Sequence, residues 1–256
     1  MMKLLRAAGK NLIVLLFWLL VWELLALRAS SALLLPGPVP VAGRTLELMA
    51  SARFWRITGL SLGRILCGVA VAVVLGTAAA ALTARFAALR ALLSPLLTTV
   101  KATPVASFII LALIWMGRDT VPCFIAFLMV LPMVWTNLDA GIARTDPLLL
   151  ETARVFRFSG WKTCRLVYIP SCAPYFVSAC RAALGLGWKA GVAAEILTVP
   201  ESSIGRMLYE SKLYLETTDL FSWTLVVILC SLVIEKALMA AVGRLGGRYA
   251  GYGGGR

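Results

Sequence analysis

Residues 120–138 are nineteen consecutive positions without a charged side chain, and this is the cleanest of several long apolar runs in the chain. At ~1.5 Å of rise per residue, a helix of that length covers nearly the ~30 Å hydrocarbon core of a bilayer. Inside such a medium each backbone N–H and C=O must be satisfied within the protein, so spanning segments are helices or closed barrels, and continuous apolar runs select helices. The chain is therefore confined to an all-α integral membrane fold. Composition agrees: 61% of the 256 residues are hydrophobic and 14% are charged, against a charged share of about 25% in soluble domains.

Six spans account for the apolar runs, at about 11–27, 57–82, 95–117, 120–142, 174–197 and 220–242. The start, MMKLLRAAGK, is basic; Trp18, Trp22, Glu23 and the length of the first run speak for a span rather than a cleaved signal peptide. Residues 33–43 read as an extended or turned connector, and residues 45–55 as a helix lying in the interface. Lys101 and Pro104 interrupt the third span, which starts at Pro95, Arg118-Asp119 makes a tight turn, and a polar loop separates the fifth span from the sixth. With both termini cytoplasmic, thirteen Lys and Arg fall inside and seven outside. That bias accounts for the net charge of +13 without nucleic acid as a partner. No composition break or internal repeat divides residues 1–256, which read as one transmembrane domain. The chain has no histidine and its six cysteines form no C-x-x-C pair, which excludes His-based catalysis and the usual zinc sites.

The longest polar interruption, residues 146–170, cannot be a span. Asp146 before Pro147 is an N-cap followed by proline at the first helical position, and helix formers continue to Phe156. Ser159-Gly160 breaks this helix. A second amphipathic segment sets Trp161, Cys164, Val167 and Tyr168 on one side and ends at Pro170. The expected unit is helix, turn, helix on the cytoplasmic surface.

Glu151, Ala153, Val167, Ile169 and Pro170 have the spacing of the EAA signature: Glu-Ala-Ala, Gly six residues after the Glu, then hydrophobic-x-hydrophobic-Pro. Thr152 replaces an Ala, and Arg157 stands where the pattern has Gly. Trp22-Glu23, Leu35-Pro36, Pro95, Lys101-x-x-Pro104 and Ala194-Glu195 extend the likeness over nearly the whole chain. Together these residues resemble the permease subunits of binding-protein-dependent ABC importers, in the nitrate, sulfonate and taurine branch. The resemblance implies a type I importer permease: six transmembrane helices and a cytoplasmic coupling helix, moving a small solute of that type by alternating access in a prokaryotic cell membrane. It implies that Glu151, Ala153, Arg157, Gly160, Trp161 and Pro170 couple the chain to ABC ATPase subunits. It also implies an extracytoplasmic solute-binding protein and pairing with a second copy or a sister permease. No G-x-x-x-x-G-K-[ST] motif is present, so ATP and Mg belong to the partner ATPase; this chain carries no cofactor and no catalytic residue. The competing class is a stand-alone carrier or membrane enzyme without an ATPase partner.

Among the charges within the expected spans, three stand near the outer side. Arg64 and Lys189 lie at similar depths, ~10 and ~13 Å from the outer face, and Glu195 lies near the outer mouth. Lys189 is on the side of its helix away from a stripe of Gly187, Gly191 and Ala194. Two readings stand side by side: the cations attract an anion along a pathway with Glu195 balancing charge, or they snorkel outward or pair with Glu23 or Glu195 as structural bridges.

Overall fold

Three long helices form the centre of the molecule. The computed structural model describes residues 2–29 and 34–246, and these run α1 (Met2–Arg28), α2 (Pro38–Met49), α3 (Ala52–Arg85), α4 (Ala87–Ala102), α5 (Val105–Trp115), α6 (Val121–Ala143), α7 (Pro147–Val155), α8 (Gly160–Thr163), a π-helical turn (Cys164–Tyr168), α9 (Ile169–Thr198), α10 (Ile204–Leu213) and α11 (Thr217–Gly246). α6 packs along both α3 and α9, and α3 also meets α9. By length and composition, three helices among the described residues can cross a membrane: α3, α6 and 217–238 of α11. The pair α4 and α5 makes a fourth if it counts as one bent span.

Small residues set the spacing of the three central helices. A Cβ on Gly68 of α3 would overlap the carbonyl oxygen of Cys123 in α6, and one on Gly76 would stand 3.0 Å from Val134 Cβ. The stripe on α9 packs inward as its spacing predicts. Gly187 faces Val69 and Val130, Gly191 faces Ile65, and Ala194 is fully buried. With neither backbone held off by a side chain, dispersion contacts run along the whole crossing. Two indoles tie the bundle sideways: Trp135 donates to Thr83 Oγ1 at 3.0 Å, and Trp188, 1% exposed, donates to the carbonyl of Val227 at 3.0 Å.

Several boundaries differ from the sequence reading, each for a local reason. The connector becomes helix at Pro38, because a proline in the first turn gives up an N–H that has no partner there anyway. The interfacial helix ends at Met49. Ser51 then caps α3, accepting from the N–H of Phe54 at 3.2 Å, so α3 starts well before residue 57. The third span is broken at Pro104, where the sequence reading has it interrupted, and begins at Ala87 rather than Pro95. Pro104 holds Thr103 in an extended conformation and offers no N–H, and α4 and α5 meet at 108°. Pro170 does not end its helix: the π-helical turn lets the N–H of Ile169 reach the carbonyl of Cys164, and residues 160–198 run on without interruption. The polar loop after α9 contains the ten-residue α10.

The close approach at Gly68 yields a stability prediction. Gly68→Ala pushes α3 from α6 and costs ~1–3 kcal/mol, read as a lower melting temperature of the purified protein in detergent. Gly59→Ala, on the same helix with nothing within 4 Å of the new methyl, leaves melting unchanged or raises it. Equal effects of the two substitutions would refute the packing account.

Candidate functional site

α7 opens as its sequence dictates: the Asp146 carboxylate accepts from the N–H of Leu148 at 2.9 Å, with Pro147 in the first turn. It closes on a left-handed residue. Arg157 has φ +52°, its N–H reaches the carbonyl of Arg154 at 3.0 Å, and the N–H of Phe158 reaches that of Ala153 at 2.8 Å. This bond pair around one left-handed residue is a Schellman closure, and its left-handed position is the one where the EAA pattern has Gly. Gly160 does not carry the reversal. It is the first residue of α8, behind Ser159, whose hydroxyl accepts from the N–H of Lys162 at 3.3 Å. The Lys162 ammonium lies 4.3 Å from the Phe158 ring centre, bracing the turn from outside.

The two halves of this unit meet through few side chains. Ala153 and Val167 are buried, while Cys164 and Tyr168 are half-buried. Leu148, Val155, Phe156 and Trp161 project, at 69%, 78%, 69% and 73% exposure. Trp161 therefore does not share the inward face expected for it. Glu151 is exposed and forms no ion pair with Arg154 or any other described residue, so its role is not local bracing.

At the opposite end of α9, Glu195 is fully buried and gathers four elements. Its Oε2 accepts from the Ser61 hydroxyl of α3 at 2.8 Å and from the N–H of Gly205, in the first turn of α10, at 3.1 Å. Its Oε1 lies 3.7 Å from Arg64 Nη1. Arg64 Nη2 donates to Asp119, in the turn between α5 and α6, at 2.8 Å and to the carbonyl of Glu201 at 2.9 Å. Ser61 also accepts from the N–H of Ile204 at 2.9 Å. A carboxylate at the start of α10 is favoured by the first-turn N–H groups and the positive end of the helix dipole. Gly205 is required because a Cβ would run into the backbone of Glu195. Just beyond, Val199 closes α9 at φ +48°, a strained setting for a β-branched residue, held by the contacts around it.

Lys189 stands apart from this cluster. It is exposed on the face of α9 opposite the glycine stripe and lines a 460 Å³ groove between α9 and α11. At the other end of that groove, Arg181 donates twice to Glu235 Oε1, both at 2.9 Å. The structure thus joins Arg64 to Glu195 and leaves Lys189 separate; Glu23 pairs with neither. Sequence reasoning missed Ser61, three residues before Arg64 on one helix face, and Asp119, the only acid in the turn between α5 and α6; Ser61 is hidden because its partners lie far away in sequence.

Residues 72–250 match the family described as Binding-protein-dependent transport system inner membrane component. A Brucella melitensis protein named "Probable ABC transporter permease protein" is 28% identical over 88% of this chain and 90% of its own length. The taurine transport system permease protein of Escherichia coli is 24% identical, covering 88% of this chain and 83% of the relative. The bicarbonate transport system permease protein of Synechococcus elongatus is 27% identical, covering 76% and 73% respectively.

The Schellman closure predicts an unusual pair of outcomes. Arg157→Gly removes the left-handed penalty of a Cβ-bearing residue and raises stability by ~1 kcal/mol, whereas Gly160→Ala, with open space around the new methyl, leaves it unchanged. Thermal unfolding of both variants checks this; a fall in stability for Gly160→Ala alone would move the turn to residue 160.

Proposed function

Because the chain belongs to the family of binding-protein-dependent transport system inner membrane components, we propose that it is the permease of an ATP-driven importer whose 147–170 segment docks on an ABC ATPase. It is a multi-pass membrane transport subunit and not an enzyme; ATP hydrolysis belongs to a separate ATPase. The observation that carries the docking proposal is the apolar exposure of Leu148, Val155, Phe156 and Trp161 on a charged segment unsuited to lipid. Exposed aromatic anchors beside basic residues suit a protein groove. Arg157, at the position where the pattern has Gly, takes the left-handed conformation that Gly favours, which supports this reading.

In this reading six helical passes put both termini in the cytoplasm, with the bent α4 and α5 forming the third. ATP and Mg are held by the ATPase, and a solute-binding protein meets the α10 end. A second copy or a sister permease covers the exposed face of α9, where the unpaired Lys189 would otherwise face lipid at a cost of ~2.5–3.5 kcal/mol. The solute is a small molecule with an anionic group, supported by the taurine and bicarbonate relatives and by Lys189 in its open groove. Arg64 and Glu195 fit the structural bridge better than the pathway, because the guanidinium is already occupied by Asp119, Glu201 and Glu195.

Two experiments test this reading. Trp161→Glu and Glu151→Lys should each reduce co-purification of the ATPase at least tenfold (~1.4 kcal/mol or more of docking energy) with unchanged melting of the permease itself. Retention of the ATPase by both variants, or absence of any co-purifying ATPase with the wild type, discards the docking proposal. For topology, Ser203 is an unsuitable probe because it is fully buried as the cap of α10, whereas Tyr214 is 68% exposed. In a background without native cysteines, Tyr214→Cys should react with an impermeant thiol reagent added to intact cells, and Lys162→Cys should not. The reverse pattern overturns the orientation.

A further inference from the structure

We propose that the solute's anionic group is handled at two stations, Lys189 on one side of Leu186 and Lys101 on the other; the inference rests on the permease reading above. A second groove, of 410 Å³, opens beside α6 where Pro104 turns the chain through 108°. Lys101, one residue before the end of α4, lines it with Asn137, Thr136 and Leu186. Leu186 also lines the groove that holds Lys189, so this half-exposed side chain is the seam between them.

Charge is distributed alike in the two grooves. Around Lys189, Arg181 is matched by Glu235; around Lys101, Arg90 is matched by Asp139 in an adjoining cavity of 240 Å³. Each region therefore contains one internal ion pair and one ammonium group. Neither the Lys101 nor the Lys189 ammonium makes a hydrogen bond or ion pair with any described residue. An unmatched ammonium in a groove with low-dielectric walls concentrates anions.

The polar groups beside Lys101 refine this. The hydroxyls of Thr136 and Thr103 already donate to backbone carbonyls, and Asn137 spends one amide N–H on the carbonyl of Met133 at 2.8 Å. The donors left for an anion are the Lys101 ammonium and the second Asn137 N–H. Lys189 sits ~14 Å along α9 from Thr198, and Thr136 sits ~22 Å along α6 from Val121, at the same end of the bundle. The stations are therefore at different depths. Two weak sites in series allow entry and release, where one deep site would retain the solute.

The test uses Leu186→Cys in the full chain, in cell membranes and in a background without native cysteines. The anionic 2-sulfonatoethyl methanethiosulfonate is compared with the cationic 2-(trimethylammonio)ethyl reagent. Rates are normalised to Gly117→Cys in the exposed turn before α6. The anionic reagent should react ~10-fold faster at the seam. Lys101→Met and Lys189→Met should each cut that preference several-fold and abolish it together, while Lys101→Arg preserves it. Equal rates, no modification by either reagent, or a preference controlled by only one lysine overturns the two stations. A co-purifying ATPase with a seam lacking anion preference removes this inference and leaves the permease reading; anion preference without an ATPase partner does the opposite.

Discussion

Gly187 and Gly191 bring α9 so close to α3 that Ile65 and Val69 pack against its backbone, and the rest of the molecule is arranged around that contact. In a membrane the apolar effect does not separate helix–helix from helix–lipid contact, so association depends on close packing and on the few polar bonds between helices. Gly68 and Gly76 repeat the device between α3 and α6. Once one face of α9 is committed to these neighbours, its other face is fixed as well. Ser178, Arg181 and Lys189 are left exposed because helical periodicity leaves them nowhere else to point.

Charge follows the same division. The buried carboxylate of Glu195 is tolerated because it accepts from Ser61 and from the first turn of α10 and lies beside Arg64. Removing water from such a group is costly unless its lone pairs are met, and here one oxygen receives two donors. The cluster holds α3, α9, α10 and the turn before α6 in one arrangement at one end of the bundle. Nothing comparable surrounds Lys101 or Lys189, whose neighbouring carboxylates are already engaged with arginines. Fixed charge and open charge thus occupy different parts of the same helix set.

Much of this was legible in the sequence because it is local. Apolar runs located the long helices, the Asp146-Pro147 start of α7 was readable, and the stripe on α9 correctly placed Lys189 on its far side. The prolines were not legible individually. Pro95, Pro132 and Pro174 sit inside helices, Pro104 breaks one, and Pro170 is absorbed by a π-helical turn. All five lack the same N–H; what differs is whether the surroundings supply a donor to the carbonyl left over, and that is tertiary information. Glu195 was similarly half-readable. Its charge in an apolar run marked it as special, but its partners Ser61 and Gly205 lie 134 and 10 residues away.

The uninterrupted helix from 160 to 198 joins the exposed turn to both charged regions. Trp161 and Lys189 are separated by ~42 Å of helix at 1.5 Å per residue, so in the proposed permease a displacement imposed at Trp161 is carried along a single rod rather than through a chain of side-chain contacts. That rod is held at its far end by the Glu195 cluster and, one to two turns before it, by the glycine crossing with α3. Near the turn it is held least, with Val167 the one buried side chain of the π-helical segment. The stretch between is not loose, because Tyr175 lies against Gly141 of α6 and Ala179 and Ala183 are fully buried. The part of the rod free to follow the turn is therefore 160–168, and a displacement there reaches Arg181, Leu186 and Lys189 only by moving α9 against α6, which packs along it.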